Sequence, residues 1–157
     1  MNSRMTIRLM LMATALACIT SCRRQIVYFH YEHTPQSGWE KNDTLNYSVS
    51  PLTDDCTLHE EVALRINSFY PFQKLCLVLE QEILPAGIVR NDTLNCRLFD
   101  NEGYVQSKGM GYFQFSFHLT DMQLARGDSL HIMLRHNMKR EILPGIIDVG
   151  IQLKRKQ

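Results

Sequence analysis

Ile19-Thr20-Ser21-Cys22 sets an aliphatic residue and two small ones before a thiol, the spacing of a bacterial lipobox. Its chemistry is lipid attachment: the Cys22 sulfur takes a diacylglyceryl group through a thioether, and the amine freed by cleavage takes an amide-linked acyl chain. Arg4 and Arg8 form a basic start and Leu9 to Ile19 carries no charge, the pattern of an export signal. A spanning helix needs about 20 apolar residues, and this run is shorter before Arg23 and Arg24 stop it. Ala15-Leu16-Ala17-Cys18 competes poorly, because Ala15 lacks aliphatic bulk and Leu16 is large where a small residue is usual. The plainer alternative is an export signal with an incidental cysteine. Residues 1–21 are thus expected to be a lipoprotein signal peptide, and 22–157 one domain held by lipidated Cys22. Losing Arg4 and Arg8 and no acid leaves 15 basic against 16 acidic side chains, a charge of −1. That near-neutral balance argues against a protein that grips nucleic acid through a basic face.

Other reactive side chains do not assemble into a site by spacing alone. Cys56, Cys76 and Cys96 include no CxxC. One disulfide is open to an exported chain, but Cys76 and Cys96 lie in apolar alternations where a buried thiol is the commoner role. His30 and His33, three apart on a strand, aim at opposite faces, and His131 with His136 meets the same difficulty. Surface histidines and no metal are expected. Neither GxSxG nor a phosphate loop is present, and Asp54-Asp55 and Glu60-Glu61 are expected to be solvated pairs. No catalytic residue and no cofactor are assigned. Arg126-Gly127-Asp128 reads as a turn. Two partner-binding features remain: the aromatics, including Tyr104 and Tyr112, and the basic stretch from Arg135 through Lys139 and Arg140. Core filling and a solvated loop are their respective alternatives.

The positioning elements follow from hydropathy. With 45% hydrophobic and 21% charged residues, the chain is too apolar for disorder. Pro35, Pro51, Pro71, Pro85 and Pro144, together with eight glycines, cut it into short pieces. Those pieces alternate with period two: Val62/Leu64/Ile66, Leu75/Leu77/Leu79, Leu94/Cys96/Leu98, Phe113/Phe115/Phe117, Leu130/Ile132/Leu134 and Ile147/Val149/Ile151/Leu153. Alternation marks half-buried strands. With Ile26–His33 and Leu45–Val49 this makes about eight strands, hence an all-β antiparallel sandwich, jelly-roll or Ig-like. Thr120–Arg126 is expected as one helical turn or as a loop with Met122 and Leu124 tucked inward. Asn42-Asp43-Thr44-Leu45-Asn46 recurs as Asn91-Asp92-Thr93-Leu94-Asn95, an echo that turn chemistry accounts for.

The order of features resembles the gliding motility lipoprotein GldH family of Bacteroidota. It is carried by Cys22, Val27-Tyr28-Phe29, Trp39 before Asn42-Asp43-Thr44-Leu45, and Leu64-Arg65 leading to Tyr70-Pro71-Phe72 and Leu75–Leu79. Asp100-Asn101-Glu102-Gly103, Lys108-Gly109-Met110-Gly111 and Gly145-Ile146-Ile147-Asp148-Val149-Gly150-Ile151 complete it. The three cysteines after Cys22 depart from the pattern.

The resemblance implies a non-enzymatic envelope lipoprotein, tied to surface motility and the type IX secretion apparatus in gliding members, with envelope proteins as partners. Surface export in that phylum follows an acidic run after the lipidated cysteine; Arg23-Arg24 stands there instead, so the periplasmic face of the outer membrane is expected. The phylum's Asp-(Ser/Thr)-aliphatic glycosylation triplet is met at Thr44, Thr93 and Ser129. A glycan-binding sandwich lipoprotein is the alternative function.

Overall fold

A computed structural model describes residues 26–100 and 111–156. Ten strands follow in chain order: β1 Ile26–His33, β2 Trp39–Glu40, β3 Leu45–Val49, β4 Cys56–Ile66, β5 Lys74–Leu84, β6 Ile88–Arg97, β7 Phe113–Leu124, β8 Ser129–His136, β9 Ile142–Leu143 and β10 Ile146–Arg155. Each of the eight expected strands is among them, every pairing is antiparallel, and no helix occurs among the described residues.

Sheet 1 has the order β1-β10-β4-β7, sheet 2 the order β3-β8-β5-β6, and β2 pairs with β9. Setting that short pair aside, the first long strand pairs with the last, the second with the seventh, the third with the sixth and the fourth with the fifth. This nesting is one long hairpin rolled into two layers, a jelly roll rather than an Ig-like order.

Alternation decides what faces the interior. Leu58, Val62, Leu64 and Ile66 of β4, Val149, Ile151 and Leu153 of β10, Leu75, Leu77 and Leu79 of β5, and Ile132 and Leu134 of β8 are buried in one shared core. Two large polar aromatics tie its parts. Tyr47 of β3 donates its hydroxyl across the layers to the Val149 carbonyl of β10 at 2.8 Å, and burial pushes that phenol well above its ordinary range. Trp39 of β2 is fully buried, donates Nε1–H to the Asp43 carbonyl at 3.0 Å, and meets the His136 ring edge-on. Gly145, between β9 and β10, has φ +80°, and a Cβ there would lie 2.2 Å from the Tyr70 backbone nitrogen. Only glycine fits that crossing.

Four expectations are corrected. Thr120–Arg126 is neither helix nor loop at its start, because β7 continues to Leu124, burying Met122 and Leu124. Leu119 is an extra residue there: Glu60 faces Thr120 while Glu61 faces His118, a β-bulge that breaks the simple alternation. Asn91–Asn95 is no turn but the middle of β6. His136 is not a surface histidine; it lies buried beneath Trp39, its Nε2 3.2 Å from the Trp39 carbonyl, and burial lowers its pKa. Glu60 is not solvated either. It occupies the inward register of Leu58 and Val62 and is 0% exposed.

Glu60 is therefore a carboxyl set in an apolar core. Gln81 of β5, equally buried, donates Nε2–H to Glu60 Oε2 at 3.0 Å, while Glu60 Oε1 and Gln81 Oε1 have no partner among the described residues. Burial, against the Gln81 hydrogen bond and with added repulsion from Asp92, raises the carboxyl from its ordinary 4.5 to about 7. A proton on Oε1 supplies the one donor the pair lacks. The folded state then binds more protons than the unfolded chain between these two values. Stability from this group is full below pH 4.5 and falls as pH rises to about 7, by about 3 kcal/mol. Glu60→Gln should match wild type at pH 4.5 and exceed it by about 2–3 kcal/mol at pH 8 in urea titrations. Equal pH dependence in both proteins would show that Glu60 stays ionised in the fold.

Candidate interaction surface

The outer face of sheet 1 carries the residues that alternation turns away from the core: Phe29, Tyr31 and His33 of β1, Asp148 and Gly150 of β10, Ala63 and Arg65 of β4, and Ser116 of β7. Register lines them up across the sheet. Tyr31 faces Gly150, Gly150 faces Ala63, and Ala63 faces Ser116. The Tyr31 ring lies over the bare Gly150 backbone, so a Cβ there would come within 2.7 Å of Tyr31 Cδ1. The next row holds His33, Asp148 and Arg65.

Arg65 organises this face. Its guanidinium carbon sits 4.0 Å from the Tyr31 ring centroid and 5.5 Å from that of Tyr112, and its Nη1–H donates to Asp148 Oδ2 at 3.3 Å. Asp148 is 4% exposed and also bonds His33 Nδ1. A planar cation stacked on aromatics and fixed by a carboxylate has little side-chain entropy left to lose when a partner covers it. Phe29 packs at 5.0 Å from the Tyr31 ring and remains 45% exposed. Burial pushes the Tyr31 hydroxyl up, against the pull of the Arg65 charge.

Towards the start of β4 lies a charged patch. The β-bulge at Leu119 brings His118 and Asp121, three apart, to the same face, beside His59 and Glu61. The His59 and His118 rings stack at 4.1 Å with planes 1° apart. His59 Nδ1 is 2.8 Å from Asp121 Oδ1, and Lys156 Nζ donates to Asp121 Oδ2 at 2.5 Å. These bonds, Lys156 first, hold the Asp121 carboxyl below its ordinary pKa. Burial pushes Glu61 up, yet the hydrogen bond and charge of Lys154 carry it below its ordinary value. Ligand atoms of His59, His118 and Asp121 come within 4.8 Å of one another. An imidazole lone pair lies in its ring plane, so two parallel stacked rings cannot both aim at one ion in this arrangement. The patch is ion-paired and stacked as it stands.

The residues singled out by spacing are dispersed. Arg135 is exposed on the outer face of sheet 2, where it lines a shallow hollow with Thr44, Val78, Glu80, Asn91 and Met133. Lys139 and Arg140 are exposed in the connection from β8 to β9. Tyr112 lies at the opposite outer face, beside Arg65, so the basic stretch and Tyr112 do not form one surface. Thr44 is exposed before β3, Thr93 points outward on edge strand β6, and Ser129 opens β8 half-buried. Cys22, Arg23, Arg24 and Tyr104 lie outside the described residues. Cys56, Cys76 and Cys96 are free thiols; burial raises Cys96 to about 12.

The family model described as GldH lipoprotein matches residues 26–153. The chain belongs to the GldH lipoprotein family. Gliding motility lipoprotein GldH of Flavobacterium johnsoniae is 27% identical over 149 residues, covering 90% of this chain and 92% of that one. Among solved structures, the mosquito-larvicidal Cry4Aa toxin of Bacillus thuringiensis superposes with a TM-score of 0.50 at 10% identity, over 75% of this chain and 19% of the toxin. That likeness concerns the sandwich fold alone, and this chain spans about a fifth of the toxin. A CocE/NonD family hydrolase of Staphylococcus aureus gives 0.44 at 10% identity, over 85% of this chain and 34% of the hydrolase, too low a score to bear on function. Of the residues that carry the sequence resemblance, Arg65, Asp148 and Gly150 meet on the outer face of sheet 1, and Trp39, Tyr70 and Gly145 lie buried or close-packed elsewhere in the sandwich.

Arg65→Met removes the guanidinium and leaves Asp148 with His33 alone. It should lower unfolding free energy by about 2 kcal/mol, read from the urea midpoint. A change below about 0.5 kcal/mol would show that Arg65 does not hold this face together.

Proposed function

We propose that this GldH-family chain is a lipid-anchored envelope protein that works by docking other envelope proteins, not by turnover. The carrying observation is the preset Arg65 between Tyr31 and Tyr112 on an open sheet face, flanked by exposed Phe29. Arginine and tyrosine are the residue types that dominate binding energy at protein interfaces. The Flavobacterium relative, named for gliding motility, supports a place in motility or a related envelope assembly. Arg23-Arg24 after Cys22 supports the periplasmic side of the outer membrane. The basic stretch Arg135, Lys139 and Arg140 is a second candidate surface on the other sheet.

A photo-crosslinking residue in place of Phe29 or Tyr112 should capture a protein partner in intact cells, and one in place of Val78 on sheet 2 should not. Capture only from Val78 would transfer the docking surface to the basic side. Retention on an immobilised polysaccharide, lost with Tyr112→Ala, would make the protein a glycan binder instead.

Cys22 is proposed as the acylated residue, and Thr44, Thr93 and Ser129 as glycosylation sites. Palmitate label should enter wild type and not Cys22→Ala. Intact mass of the wild-type protein should exceed lipidated polypeptide by whole sugar units that Thr44→Ala, Thr93→Ala and Ser129→Ala remove. Label in both proteins, or a mass of polypeptide plus lipid alone, rejects the respective assignment.

A further inference from the structure

The connection from β5 to β6 is unusual for a water-facing turn. Loop tips ordinarily carry polar turn residues, but Leu84-Pro85-Ala86-Gly87-Ile88-Val89 has no polar side chain. Leu84 is 39% exposed, Ile88 53% and Val89 52%. Pro85 and Ala86 are exposed as well.

Register fixes where this tip lies. Ile26, the first residue of β1, pairs with Lys154 at the end of β10, and Arg155 pairs with Leu58 near the start of β4. Cys56, which opens β4, pairs with Leu124 at the end of β7. In sheet 2, Val49 at the end of β3 faces Leu130, Ile83 faces Leu130 and Leu84 faces Ser129. Hydrogen bonds from Leu52 N–H to the Asp128 carbonyl and from Gly127 N–H to the Leu52 carbonyl join the two layers at this level. The apolar tip and the start of β1 therefore project from the same end of the sandwich. Phe69, the most exposed large apolar side chain described, sits at the other end, in the connection from β4 to β5.

We propose that the tip of the β5–β6 hairpin, with Leu84, Ile88 and Val89, enters the headgroup–acyl boundary of the bilayer, a second membrane contact that sets the orientation of the sandwich. The inference rests on the reading of Cys22 as the anchor. Three residues, Arg23, Arg24 and Gln25, separate Cys22 from Ile26, so four Cα steps hold the lipidated residue within about 14 Å of the start of β1. Sheet 2 is only about 15 Å wide at a strand spacing near 4.8 Å, which brings the tip within reach of the same bilayer. The occupant is the apolar layer and not the headgroup charge. The basic side chains that end β10 are already matched: Lys154 bonds Glu61 at 2.6 Å, Arg155 bonds Asp54 through two nitrogens at 2.7 and 2.6 Å, and the following Lys156 bonds Asp121. Zwitterionic lipid is therefore sufficient. Exposed apolar side chains on a hairpin turn are suited to that depth.

The test uses the lipidated protein in vesicles of zwitterionic phospholipid with brominated acyl chains. Ile88→Trp and, independently, Val89→Trp report on the tip, and Phe69→Trp on the opposite end. Buried Trp39 gives the background in wild type. The two tip variants should show blue-shifted emission and roughly twofold quenching by bromine, with Phe69→Trp unaffected. Flotation of wild type with the vesicles reads the anchor separately. Protein that floats while both tip variants stay unquenched overturns the second contact and leaves the anchor standing. Wild type that fails to float overturns both.

Discussion

β10 closes the fold. It lies between β1 and β4, giving β1 its one strand neighbour in sheet 1 among the described residues and receiving the Tyr47 hydroxyl from the other layer. Both flanking pairings join segments far apart in sequence, and among the long strands only β5 and β6 meet through a short turn. Loop closure thus precedes most of the reward, as in other sheet-rich folds of non-local pairing. The strand that completes the sandwich also supplies Asp148 and Gly150 to its outer face. Stability and surface chemistry are linked through one segment.

Inside and outside follow separate rules along that segment. Val149, Ile151 and Leu153 fill the core, where shape and apolar area count. Asp148 and Gly150 point the other way and support Arg65 and Tyr31, where position counts. Gly150 lends the face its relief, because a bare backbone lets the Tyr31 ring approach the sheet where a Cβ would collide with it. The Arg65–Asp148 pair then fixes the neighbouring row.

The strands were legible because their period is two and apolar residues keep to it; Leu75, Leu77 and Leu79 announce β5 without help. Legibility ended where the period slips or where a partner strand decides. Leu119 shifts the phase of β7, so His118 and Asp121 share a face that simple alternation denies them, and the same slip disguised the end of β7 within Thr120–Arg126 as a helical turn or a loop. Glu60 looked like half of a solvated pair, since Gln81, which takes it up inside, is on another strand. Arg65, Tyr31 and Asp148 come from three strands, and their proximity is a property of the rolled hairpin. The Asn-Asp-Thr-Leu-Asn echo shows the converse: identical local chemistry leads into a strand at Asn42 and runs through the middle of one at Asn91.

The direction of β1 has a mechanical consequence. A chain held at Ile26 and gripped by a partner on the sheet face would feel tension along β1, parallel to its neighbour. Backbone bonds from Ile26 to His33 would then share the load at once, where peeling would break them one at a time. A protein tethered by its first strand in this geometry resists being pulled apart better than its modest size suggests.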